Sequence, residues 1–330
     1  MSERSVSEKA SLGRGAAIAS ITTAVFLVAL KLWAVWQTSS MALLGSLADS
    51  ALDLVASLAT LVGVIIAARP ADRTHRFGHG KAEALAAIFQ VLLIAVSAAG
   101  IAMRSSQALI GGERVAAAEE GIIVSVIAII ATFALLAYQR YVIARTRSVA
   151  IGADHVHYQS DLLLNLAVIA ALVLDRYVGI AGADPVFGLA IAAWLLWGAW
   201  RAGSEAVDHL MDREWPEEKR RRFVAVAAKH PELSRLHDLR TRTSGGIDFV
   251  QFHVDLPGDY TVSQAHDIIE RVERDLHAEF PDAEVLIHID PKGHVDDPQN
   301  RLVEEDQFSR FGERPMSEDS KGRDTTGNTA

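Results

Sequence analysis

The chain has 330 residues, half of them hydrophobic, and a formal net charge of -9. Those totals fit a large soluble protein or a modest membrane protein, so the distribution of apolar residues decides between them. The acidic balance gives no hint of a nucleic-acid binder. The absence of cysteine excludes disulfides and thiolate capture of soft ions such as Cu(I), so a metal site here must use His and carboxylate.

Up to about Asp212 the sequence is a series of apolar stretches, each of about 20 residues or more, long enough to cross a hydrocarbon core of about 30 Å. In chain order the six predicted spans are Gly15 to Trp36, Met41 to Ala68, Ala82 to Ile110, Gly121 to Ile143, Asp154 to Tyr177 and Pro185 to Val207. The polar segment before the first span shows no cleavable-signal pattern. Basic residues gather in alternate connections: Arg4, Lys9 and Arg14; Arg69, Arg73, Arg76 and Lys81; Arg140, Arg145 and Arg147; then Arg213 onward. By the positive-inside rule both termini are cytoplasmic.

Beyond Asp212 charge returns every few residues. This part reads as helix Glu217 to Lys229, strand Leu233 to Thr241, a turn at Gly245 and Gly246, strand Ile247 to Leu256, helix Ser263 to Glu279 and strand Ala283 to Asp290. The α-β-β-α-β order predicts a small α+β sandwich with helices over one sheet face. From about Gly293 the chain lacks hydrophobic periodicity and reads as a disordered tail. The domain plan is therefore an N-terminal cytoplasmic segment (1–14), a six-helix transmembrane bundle (15–212), a cytoplasmic domain (213–292) and the tail (293–330).

Three carboxylates stand where charge is expensive. Asp49 and Asp53 lie four residues apart inside the second span, on one helix face, and His157 and Asp161 repeat that spacing in the fifth. Each intramembrane acid costs roughly 2.5 to 3.5 kcal/mol on insertion scales, a burden that a structural role rarely justifies. Lys31 is the only basic residue well inside any span, and one cation does not neutralise three acids. Two i, i+4 pairs on facing helices instead supply four ligands from two directions, a tetrahedral set that suits Zn²⁺. One nitrogen with three oxygens also admits Fe²⁺, Mn²⁺ or Co²⁺. Asn165 extends the same face of the fifth span as a hydrogen-bonding or helix-packing residue.

Two further clusters carry ligand chemistry. Asp72, His75 and His79 fall within eight positions of the loop after the second span. Their spacing fits equally a metal site and a solvated polar loop. In the third and fifth predicted elements of the C-terminal part, strand parity separates two faces. Val250, Phe252, Val254, Val285, Ile287 and Ile289 point inward, and His253, His288 and Asp290 point outward together. His237 and His266 are near enough in the element order to complete that cluster.

The second-span DSALD, the loop HRFGHGKAE, the HYQSD of span five and the later HDLRTR together resemble the cation diffusion facilitators, and among them the bacterial ferrous-iron and zinc efflux pumps. The likeness runs from about Ala16 to Pro291. It implies a homodimer in the lipid of the bacterial cytoplasmic (inner) membrane, with a cytoplasmic ferredoxin-like, metallochaperone-like domain. It implies export of Zn²⁺ or Fe²⁺, with Cd²⁺, Mn²⁺ and Co²⁺ as further cargo, against inward protons. Asp49, Asp53, His157 and Asp161 would be the transport site, Asp72, His75 and His79 a weaker intersubunit site, and Lys81 with Asp212 a charge interlock. The outward sheet face would be the dimer contact, with metals bridged at Asp290. Ile289 removes one side-chain ligand there, which favours one metal over two. A membrane-anchored metal sensor is the alternative reading. A membrane zinc enzyme is a more distant one, since no HExxH pair occurs.

Overall fold

The computed structural model describes residues 3–38, 41–111, 120–173, 183–293 and 306–313. The chain divides into two compact units, Ser7–Met211 and a second made of Met1–Val6 with everything from Asp212.

The first unit is built from six long helices: α1 Glu3–Thr38, which belongs to it from Ser7 on, α2 Met41–Ala67, α3 Ala82–Gly111, α4 Glu120–Thr146, α5 Val149–Val173 and α6 Ala183–Leu210. Five of them are long and apolar enough to cross a membrane. The exception, α5, carries Asp154, His155, His157, Asp161 and Asn165, and that polar load lowers its apolarity. Its 25 residues still reach about 37 Å, sufficient for a hydrocarbon core. The expected end of the fifth span at Tyr177 lies outside the described residues.

Helix boundaries differ from expectation at two N-termini. The segment before Gly15 is the beginning of α1, which starts at Glu3, because its Glu, Lys, Arg and Ala residues favour helix and contain no proline. Helix α5 starts at Val149, because Ser148 and Glu83 cap it. Ser148 Oγ accepts from the Ile151 amide at 3.3 Å and donates to the Glu83 carboxylate at 2.6 Å. Glu83 also accepts from the Val149 and Ala150 amides. An acid contributed by α3 thus sits on the positive end of the α5 dipole.

The bundle packs through α3 against α6, α5 against α6 and α2 against α3, with α4, α2 and α3 also meeting α5. Small residues permit this closeness. A Cβ added at Gly63 would lie 2.4 Å from the Ala86 Cβ, and one at Gly188 would lie 2.1 Å from Ser105 Oγ. Outward-facing Val96, Ile130, Phe133 and Trp200 are exposed, as hydrocarbon-facing side chains should be.

The second unit contains α7 Glu217–Ala227, β1 Leu236–Ser244, β2 Ile247–Leu256, α8 Val262–Glu279, β3 Ala283–Pro291 and α9 Gln307–Phe311. Its sheet has the order β1-β2-β3, with β1 antiparallel and β3 parallel to β2. Gly245 and Gly246 both take left-handed conformations (φ 58° and 82°) in the two-residue turn between β1 and β2, where a side chain would be strained. Phe223 of α7 meets Phe252 of β2 edge-on at 5.5 Å, and Trp215 stacks on Phe280 at 6.0 Å. Thr261 starts α8 with a reciprocal capping box to Gln264. Val285 and Ile287 pack on this core as parity predicts, whereas Ile289 stays exposed.

One expectation needs correction. The disordered tail expected from about Gly293 contains an ordered turn: Asp306 caps α9, Phe308 is 1% exposed within the core, and Gly312 closes the helix at φ 72°. A single buried aromatic makes the docked turn, and the sequence DQFSRFG is too short to show periodicity. Phe308→Ala should therefore lower the stability of this unit by about 3 kcal/mol, measured as a drop in its denaturation midpoint. An unchanged midpoint would show that α9 adds nothing to the core.

Candidate metal centres

Helices α2 and α5 bring the intramembrane ligands together. His157 Nε2 lies 2.9 Å from Asp53 Oδ1, and Asp161 adds a carboxylate oxygen, all three ligand atoms lying within 4.8 Å of one another. Asp53 and His157 are buried, at 9% and 6% exposure. The His157 ring is braced edge-on by Tyr158 at 5.7 Å, and Tyr158 is fixed through its hydroxyl to Ser57 at 2.8 Å and to the Ser20 carbonyl at 3.1 Å. Asp49 occupies α2 one turn before Asp53, and its side chain lies outside the described residues. Asn165 donates to the Asp161 carbonyl at 2.7 Å, a bond within its own helix.

In the loop between α2 and α3, Asp72 gathers both histidines. His75 Nδ1 lies 3.3 Å from its Oδ1 and His79 Nε2 3.4 Å from its Oδ2, with the two rings 4.4 Å apart. The His75 amide, the Thr74 hydroxyl and the Thr74 amide donate to Asp72 and hold its carboxyl well below the usual carboxylate range. The acid is thus held ionised and oriented. At the end of this loop Lys81 Nζ donates to the Leu210 carbonyl at 3.1 Å. In the second unit Asp212, with φ 55°, lies 3.5 Å from Arg242.

On the outward sheet face His237, His253 and His288 form one cross-strand row, paired in register through β1, β2 and β3. A bulge between His237 and Arg240, with Asp238 at φ 47°, lets both ends of β1 keep that register. Asp290 serves all three histidines. Its Oδ2 is 2.9 Å from His253 Nδ1 and 3.4 Å from His237 Nε2, and its Oδ1 is 3.4 Å from His288 Nε2. His237, His253 and Asp290 form the compact group, while His288 is largely exposed. His266 stands apart from the group, against Glu270 at 3.4 Å, because α8 covers the other sheet face.

The sequence reading missed three acids beside these centres. Asp255 lies 3.7 Å from His237 Nδ1 and Asp238 lies 3.8 Å from His253 Nε2. Asp255 shares the parity of His253, a signal that was available, whereas Asp238 depends on the bulge. Asp154 is fully buried one turn before His157. The signal for it was a second acid inside the same apolar helix.

A bundle of membrane-crossing helices that gathers carboxylates and an imidazole at mid-helix defines an integral membrane protein that handles cations. Residues 17–211 match the cation efflux transmembrane domain, and residues 215–292 match the cytoplasmic domain of cation efflux proteins. The chain belongs to the cation efflux family, the cation diffusion facilitators of the resemblance above, and is a divalent-metal efflux transporter. It is 42% identical over 276 residues to the cation-efflux pump FieF of Cronobacter sakazakii, covering 84% of this chain and 92% of that one. The pump of the same name from Klebsiella pneumoniae subsp. pneumoniae is 40% identical over 289 residues, covering 88% and 96%. That from Escherichia coli O127:H6 is 41% identical over 276 residues, covering 84% and 92%.

Burial lowers the His237 pKa, helped by the positive charge of Arg235 and outweighing Asp255 and Asp290. The unfolded chain, with an ordinary imidazole near about 6.5, then takes up a proton that the folded unit resists. Stability of this unit should accordingly be greatest above that value and fall as pH drops through it. His237→Gln should flatten the dependence, measured by denaturation at neutral and mildly acidic pH. An equally steep loss in the variant would assign the effect to other groups.

Proposed function

We propose that the chain exports Zn²⁺ or Fe²⁺, with Cd²⁺, Mn²⁺ and Co²⁺ as further cargo, in exchange for protons, through Asp49, Asp53, His157 and Asp161. The observation that carries this reading is the 2.9 Å approach of His157 Nε2 to Asp53. A ring nitrogen that shares a proton with Asp53 has no lone pair for a metal, so the two cargoes compete for one atom. A bundle that presents such a site first to one side and then to the other exchanges them. Four protein ligands leave no open position for an activated water, which favours transport over hydrolysis.

The remaining centres have supporting roles. Asp72, His75 and His79 form a second, weaker metal site. His237, His253 and Asp290 hold a regulatory ion, with His288 at the far oxygen of Asp290. The compact group has three ligands, and Ile289 adds none, which supports one metal there. His266 belongs to this set only if a partner copy brings it near. The same sheet face is the homodimer contact. The basic connections place both termini in the cytoplasm, with the bundle in the lipid of the inner membrane.

In proteoliposomes Asp53→Ala and His157→Ala should each abolish metal flux while the dimer still assembles. Undiminished flux in either would sink the assignment. A tethered sensor would bind metal and show no flux in the unmodified chain either. Collapse of the pH gradient should slow export by tenfold or more, and insensitivity to the gradient would leave a uniporter.

A further inference from the structure

Asp154 is a buried acid that the transport cycle above does not use. Its side chain is the centre of a polar knot in an otherwise apolar bundle. Oδ1 accepts from Gln90 Nε2 at 2.6 Å, and Oδ2 accepts from Ser20 Oγ at 2.6 Å and from Gln139 Nε2 at 2.8 Å. Each partner is itself held. Gln90 Oε1 accepts from Thr60 Oγ1 at 3.0 Å, and Gln139 Oε1 lies 3.2 Å from His155 Nδ1. Ser20, Thr60, Gln90, Gln139 and Asp154 all have 0% exposure. They come from α1, α2, α3, α4 and α5 in turn; α1, α3 and α4 donate directly to the carboxylate of α5, and α2 joins the network through Gln90.

The knot lies close to the ligands along both helices that supply them. Asp154 precedes His157 by one turn of α5, and Thr60 follows Asp53 by two turns of α2. Lipid contacts do not fix the rotation of a helix about its axis, because hydrocarbon is equally apolar on every side. A carboxylate with three donors from three helices does resist it, because rotation would leave buried donors unmatched.

We propose that Asp154 is a positioning residue for transport, whose knot sets the rotation of α5 and thereby presents His157 and Asp161 to Asp53. This rests on the transport site assigned above. Asparagine at this position keeps the shape but turns an NH₂ toward Gln139 or Gln90, setting donor against donor. Exchange of the two groups, Asp154→Asn with Gln139→Glu, restores the match with the carboxylate now on α4.

The test is zinc flux through the full-length protein in proteoliposomes, with the KM for Zn²⁺ and the melting temperature read separately. Asp154→Asn should raise the KM about tenfold, and the double variant should return it to within about threefold of the parent. A residue that only supports folding would reduce the amount of active protein and leave the KM of the survivors unchanged. A parental KM in Asp154→Asn, or a double variant as impaired as the single, would overturn the proposal. Should Asp154→Asn not fold, Gln139→Met keeps the acid and removes one donor. Its KM should then rise, and an unchanged KM would again overturn the idea. Asp53→Ala serves as the reference. If it retains flux, the transport-site reading fails, whereas if it alone loses flux, only the role of Asp154 fails.

Discussion

The membrane half of this protein is organised by the cost of placing a carboxylate in hydrocarbon. Water is absent, so every acid must find donors, a cation or a proton within the bundle. Asp53 meets His157, Asp154 meets a serine and two glutamines, and Glu83 meets the first turn of α5. These are three solutions to one problem, and they differ in what can replace the partner. Amide and hydroxyl donors are permanent. An imidazole can exchange its proton for a metal, and on the reading proposed above this is what separates a cargo site from a structural one.

Much of this was legible in the sequence because charge in an apolar run is a loud signal. Six helices, the i, i+4 pairs on α2 and α5, and the α-β-β-α-β order of the second unit followed from spacing and periodicity. The hairpin was readable from Gly245 and Gly246, whose left-handed backbone leaves few other residues possible. Strand parity separated the histidine face from the core without knowledge of any contact, since a pleat alternates whatever its neighbours are.

What escaped the sequence depended on partners distant along the chain. The start of α5 was placed late because its cap is an acid from α3, sixty-five positions away from Ser148. Gln90 and Gln139 carry no signal in the sequence, because their role depends on Asp154, which meets them across the bundle. Asp238 was hidden by a bulge, which one-dimensional parity cannot anticipate. Helix α9 is five residues long and is held by the burial of Phe308, so its order resides in the surface that receives it.

The cap at Glu83 has a mechanical consequence. His79, Lys81 and Glu83 occupy alternate positions of one short stretch, so the loop histidine and the carboxylate that caps α5 are carried on the same few peptide units. Peptide units do not stretch. A displacement of the loop therefore reaches the end of α5 by a short covalent path and the hydrogen bonds of one side chain.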